Sequence, residues 1–70
     1  MSTYVQITVN GQSRQVPDGT TLAALLEQLG LAGKPLAVEV NLQLIPRQQH
    51  GQHLLRTGDR VEIVTLVGGG

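Results

Sequence analysis

Seventy residues with five basic and five acidic side chains, no net charge and no cysteine suit one small domain whose core is apolar packing alone. Balanced charge without a run of either sign argues against a phosphate-tracking nucleic-acid binder, and no apolar stretch approaches the roughly 20 residues of a membrane span. The opening MSTYVQITVNG lacks a charged segment followed by a long apolar one, so the expected location is the compartment of synthesis, the cytoplasm. With no thiol available, a zinc site would need His50, His53 and carboxylates; two histidines three apart in a polar segment read instead as solvated loop or edge residues, and no metal is expected.

In chain order, TYVQITVNG alternates Val5, Ile7 and Val9 against Tyr4, Gln6 and Thr8, the period-two pattern of a half-buried strand. Asn10-Gly11 predicts a type I′ hairpin turn, because that turn needs positive φ at both central residues. Gln12 to Val16 is the returning strand, polar enough for a sheet edge, and Pro17 removes a ladder donor and stops it. Thr20 or Thr21 then caps a helix whose leucines at 22, 25, 26 and 29 form one core-facing stripe, with Gly30 placed for the left-handed residue that ends it.

A third strand is expected after Pro35, with Val38 and Val40 alternating against Ala37, Glu39 and Asn41, and Pro46 closes that apolar segment. RQQHGQHLLRTGD is polar apart from Leu54-Leu55 and ends in a turn by composition. RVEIVTLV, from Arg60 to Val67, is the most β-prone run. Two strands, a helix and two or three further strands predict a small α+β sheet with the helix across one face. The chain then runs into Gly68, Gly69 and Gly70. Three glycines add nothing to a core, which leaves a frayed end or a terminus that is itself the working part.

The pattern resembles the ubiquitin-like β-grasp fold, a mixed sheet of four to five strands whose first and last strands lie side by side in the centre. Within it, the chain resembles the small sulfur-carrier proteins of bacterial thiamin biosynthesis over nearly its whole length. The residues carrying the resemblance are VNGQ in the hairpin, TLAALLEQLG in the helix, VEVNLQLIPR, LLRTGDRVEIV and the terminal VGGG. A third terminal glycine is the chief departure. The implied organisation is a β-grasp domain over 1–67 and a flexible tail over 68–70.

That resemblance implies a protein substrate rather than an enzyme. A ubiquitin-activating-type adenylating enzyme would use ATP to convert the Gly70 carboxylate into an acyl adenylate. Sulfur from a donor such as a cysteine desulfurase would then displace AMP and leave a thiocarboxylate for thiazole synthase. Gly70 would carry the reactive carbon, while Gly68 and Gly69 would be the leash that enters partner active sites. Three extended residues reach roughly 10 Å, and the missing Cβ atoms avoid channel walls and permit several backbone conformations. An α-carboxyl titrating at about 3.5 is ionised at neutral pH and needs no base from this chain. No permanently bound cofactor is implied, and the absence of cysteine would leave the thiocarboxylate as the sole sulfur nucleophile.

If Val61 and Ile63 face the helix, then Arg60, Glu62, Val64 and Leu66 face the open side of the sheet. Val64 and Leu66, with Val67 where the tail leaves, are the expected docking surface for partners. Lys34, the sole lysine, reads as a solvated loop residue, and Asp59 as the cap of the Thr57-Gly58 turn. Tyr4 is the only aromatic, too little for a base-stacking platform, and no catalytic constellation is present. Two alternatives stand beside the thiamin carrier. The small subunit of molybdopterin synthase shares the fold and double-glycine end but runs longer and richer in aromatics; non-catalytic β-grasp binding modules continue past the last strand, where this chain stops, its start at Met1 reading as a complete frame.

Overall fold

The computed structural model describes residues 3–66. The strands β1, Tyr4–Val9, and β2, Gln12–Pro17, pair antiparallel with Val9 opposite Gln12. Asn10 and Gly11 between them have φ of +49° and +84°, the geometry expected of the Asn-Gly turn. β2 lies at the sheet edge and exposes every residue except Val16, in keeping with its polar sequence.

The helix α1 spans Leu22–Gln28, and Thr21 rather than Thr20 is its cap, accepting a hydrogen bond from the Ala24 N–H at 3.1 Å. Thr20 is buried, and its hydroxyl donates to the Pro17 carbonyl at 2.6 Å. A helix start leaves its first N–H groups without helical partners, and those of the first three helical residues are met here. Leu22 donates to the His53 carbonyl at 2.9 Å, Ala23 to that of His50 at 3.0 Å and Ala24 to the Thr21 side chain at 3.1 Å, and Leu25 makes the first helical bond, to the Thr21 carbonyl at 3.0 Å. At the other end Gly30 has φ +74°. Its N–H donates to Glu27 and that of Leu31 to Leu26, at 3.0 and 2.8 Å, the paired bonds of a glycine-terminated helix.

The chain continues into β3, Leu36–Val40, a two-residue β4, Gln43–Leu44, a short 3-10 helix, Arg47–Gln49, and β5, Arg60–Thr65. The five strands are ordered β2-β1-β5-β3-β4. β5 runs parallel to β1 and antiparallel to β3, so the first and last strands are central neighbours. Ile7, Val16, Val38 and Val61 from the sheet join Leu22 and Leu25 from the helix as the most deeply buried side chains. Each such burial contributes about 1.5–3 kcal/mol, which makes the one-sided apolar stripe the main stabilising feature of a domain this small.

One expectation needs correction. His50 is buried, not solvated: its Nε2 lies 2.9 Å from the Ile45 carbonyl, and its own carbonyl receives a helix N–H. The polar segment around it is therefore a support for the start of α1, whereas His53 stays half-buried and contributes its carbonyl. The apolar pair also divides, with Leu55 buried and Leu54 exposed. Asp59 behaves as expected of a turn cap, its Oδ2 accepting from the Arg56 N–H at 2.8 Å.

Candidate functional site

The site is the C-terminal end of β5, and three pieces of the sheet position it. On one flank β3 pairs with β5 from Val40 opposite Val61 to Leu36 opposite Thr65, and Leu66 adds a bond from its N–H to the Pro35 carbonyl at 2.9 Å. The backbone is thus held up to the last described residue. On the other flank β1 pairs with β5 only at Thr8 with Arg60 and Val9 with Val61, because the chain turns away at Asn10.

Asn10 compensates for that early departure. Its Oδ1 accepts from the Ile63 N–H at 2.7 Å, and its Nδ2 donates to the Ile63 carbonyl at 3.2 Å. One side-chain amide therefore stands where the next peptide of β1 would be. Nothing in the sequence flagged this second role, since Asn10 is fully accounted for as a turn residue and its strand partner lies far along the chain.

Alternation then fixes which side chains border the exit of the tail. Val61 and Ile63 are buried beneath the helix, whereas Val64 and Leu66 are 59% and 53% exposed. Both lie on the open face, as their phase predicts. Ala37 sits opposite Val64, and next to that pair Glu39 faces Glu62, with Leu44 beyond Glu39. The result is an apolar strip of Leu44, Ala37, Val64 and Leu66 crossed by two carboxylates. Like charges directly opposite on a sheet are mutually destabilising, so the fold carries this pair at a cost.

Val67, Gly68, Gly69 and Gly70 lie outside the described residues. Among the described residues, no group of three or more His, Cys, Asp or Glu side chains is placed to hold a metal ion. No helix among them is long and apolar enough to cross a membrane.

The family model described as "ThiS family" matches residues 7–70, a span that takes in the central strands, the helix and the glycine end. The chain belongs to the ThiS family. Two proteins named for that family are similar along their full length. The "Sulfur carrier protein ThiS" of Escherichia coli (strain K12) is 36% identical over 66 residues, covering 94% of this chain and 100% of that one. The crystal structure of the thiamine biosynthesis protein (ThiS) from Geobacter metallireducens superposes with a TM-score of 0.80 at 29% identity, over 94% of this chain and 100% of that one. The fold is accordingly the ubiquitin-like β-grasp with a mixed five-stranded sheet and one helix. A third relative, named "Thiazole synthase", from Paramagnetospirillum magneticum, is also 36% identical over 66 residues. This ThiS-family chain spans only 20% of that relative's length.

Proposed function

We infer that this protein is a sulfur carrier of thiamin biosynthesis whose C-terminal Gly70 is loaded as a thiocarboxylate. Family membership over residues 7–70 carries the reading, supported by similarity to a named sulfur carrier along that protein's entire length. In the loading reaction the Gly70 carboxylate oxygen attacks the α-phosphorus of ATP and pyrophosphate leaves. A donor protein's persulfide then attacks the acyl carbon and AMP departs, leaving an acyl disulfide; a thiol attacks the donor-side sulfur of that S–S bond, becomes disulfide-bonded to the donor and frees the thiocarboxylate. This chain supplies the carboxylate and the unbranched tail, and the adenylating enzyme supplies the chemistry.

The acceptor in this reading is thiazole synthase, a class in which a relative contains a segment similar to this chain. The docking surface is the open-face strip at the end of β5, where Val64 and Leu66 offer apolar contact beside the tail. Glu39 and Glu62 favour a partner that presents a guanidinium or ammonium between them, which would remove their mutual repulsion.

Intact-protein mass spectrometry tests the reading after incubation with ATP, a sulfur donor and the adenylating enzyme. The full-length chain should gain the mass of sulfur replacing oxygen, localised to Gly70, and a chain lacking Gly69 and Gly70 should gain nothing. No gain on the full-length chain, with the enzyme active on another carrier, would overturn it. Leu66→Glu should weaken enzyme binding while leaving the thermal melt unchanged, because the side chain already faces water.

A further inference from the structure

The chain holds two asparagines, Asn10 before Gly11 and Asn41 before Leu42. An asparagine is thermally labile, and most so before glycine, because no Cβ on the next residue obstructs the backbone nitrogen that attacks its side-chain amide. Asn10 and Gly11 are both exposed at the hairpin tip, so exclusion of water does not protect them. Leu42 by contrast places a branched side chain beside its own nitrogen. Asn10 is therefore the reactive member of the pair.

What restrains Asn10 comes from outside the turn. Its Oδ1 accepts the Ile63 N–H at 2.7 Å and its Nδ2 donates to the Ile63 carbonyl at 3.2 Å, across 53 residues of chain. Cyclisation needs the amide carbon, Cγ, swung onto the Gly11 nitrogen and made tetrahedral, and neither movement is compatible with both bonds in place. Ring closure must wait until the side chain leaves β5. Local opening of this kind has its own free energy, smaller than that of global unfolding.

We propose that Asn10 is a site of spontaneous deamidation gated by its own clamp, and that the reaction, once it occurs, leaves a residue that cannot refasten Ile63. The Gly11 nitrogen gives its proton to solvent and attacks Cγ; the N–Cγ bond forms, the Cγ–Nδ2 bond breaks, and Nδ2 takes up a proton and leaves as ammonia. Water then opens the cyclic imide at either carbonyl, giving aspartate or, with the chain routed through Cβ, isoaspartate. Neither product restores the clamp. Aspartate is ionised at neutral pH and sets a second oxygen, with no hydrogen, where Nδ2 met the Ile63 carbonyl. Isoaspartate adds a backbone atom to a two-residue turn whose length sets the hairpin register. The loss falls on the stretch of β5 that leads to Val64 and Leu66.

The test ages wild-type chain at one mildly alkaline pH, folded and in denaturant, and follows the exchange of NH2 for OH at Asn10 and Asn41 by peptide mapping. In denaturant Asn10 should convert well ahead of Asn41. In the folded chain it should convert about tenfold more slowly or less, by the same factor that protects the Ile63 amide against hydrogen exchange, because one opening frees both. Asn10→Asp supplies the product directly: at neutral pH its Ile63 amide should exchange about tenfold faster than in wild type, measured against the Val64 amide on the β3 side. Folded chain that converts at Asn10 as fast as denatured chain would overturn the proposal. So would a slow Asn10 beside an Ile63 amide that exchanges freely, or a folded Asn10→Asp chain that protects Ile63 as wild type does. The wild-type comparison decides the gating whether or not Asn10→Asp folds, and none of these measurements involves sulfur loading.

Discussion

The turns of the two hairpins share a backbone shape and differ in how well their residues suit it. Asn10-Gly11 and Asn41-Leu42 all have positive φ, at +49°, +84°, +53° and +69°. Asn and Gly tolerate that region, but Leu42 does not: a side chain there costs about 1–2 kcal/mol, and at 81% exposure it recovers little through burial. The β3–β4 turn holds because of what its asparagine touches. Asn41 donates its backbone N–H to the Arg60 carbonyl at 2.9 Å, accepts the Arg60 N–H on Oδ1 at 3.0 Å, and donates Nδ2 to Asp59 Oδ1 at 2.9 Å. Each asparagine thus fastens a turn to β5, Asn10 from the β1 side and Asn41 from the β3 side. Tertiary bonds to a third strand can stabilise a turn that local preference would reject.

Substitutions at Asn10, Asn41 and Leu42 separate the two contributions. Asn10→Ala should have the largest effect, lowering stability by about 2–3 kcal/mol through loss of both Ile63 bonds and a strained φ; denaturant midpoints read it directly. Asn10→Gly keeps the turn and removes only the clamp, so its loss should be about 1–2 kcal/mol. Asn41→Gly should cost less, about 0.5–1 kcal/mol, because its side-chain bonds are exposed and water replaces them. Equal losses for the two glycine variants would show that burial does not distinguish the clamps. Leu42→Gly should stabilise by about 0.5 kcal/mol, the relief of φ strain less the entropy that glycine brings, seen as a small rise in melting temperature.

The same contrast explains what was legible in the sequence. Asn10-Gly11, the leucine stripe, Gly30 and the period-two phase of β5 are local patterns whose geometry depends on neighbours within a few positions. They gave the hairpin, the helix and the outward placement of Val64 and Leu66. Asn41-Leu42 was hidden because leucine is not a turn former, and the short strand it introduces pairs at only two positions. His50 was misjudged because the polarity of its segment says nothing about a carbonyl aimed at a helix start. The Asn10 clamp depends on where one strand leaves another. Docking at Val64, Leu66 and Val67 and the roles of Gly68, Gly69 and Gly70 came from family resemblance and the phase of the strand, and the experiments above address them.

The central place of β5 has a consequence for how the molecule is made. Pairing Val9 with Val61 closes a loop of 52 residues (61 − 9), whose length-dependent entropy is about 3.5 kcal/mol. Until that strand inserts, the β1–β2 hairpin and the β3–β4 hairpin have no ladder between them. Non-local closure of this kind slows folding, and here it also makes β5 the keystone of the sheet. A chain stopped before β5 lacks the middle of its own sheet, so nothing that depends on the end of β5 can form before the fold is complete.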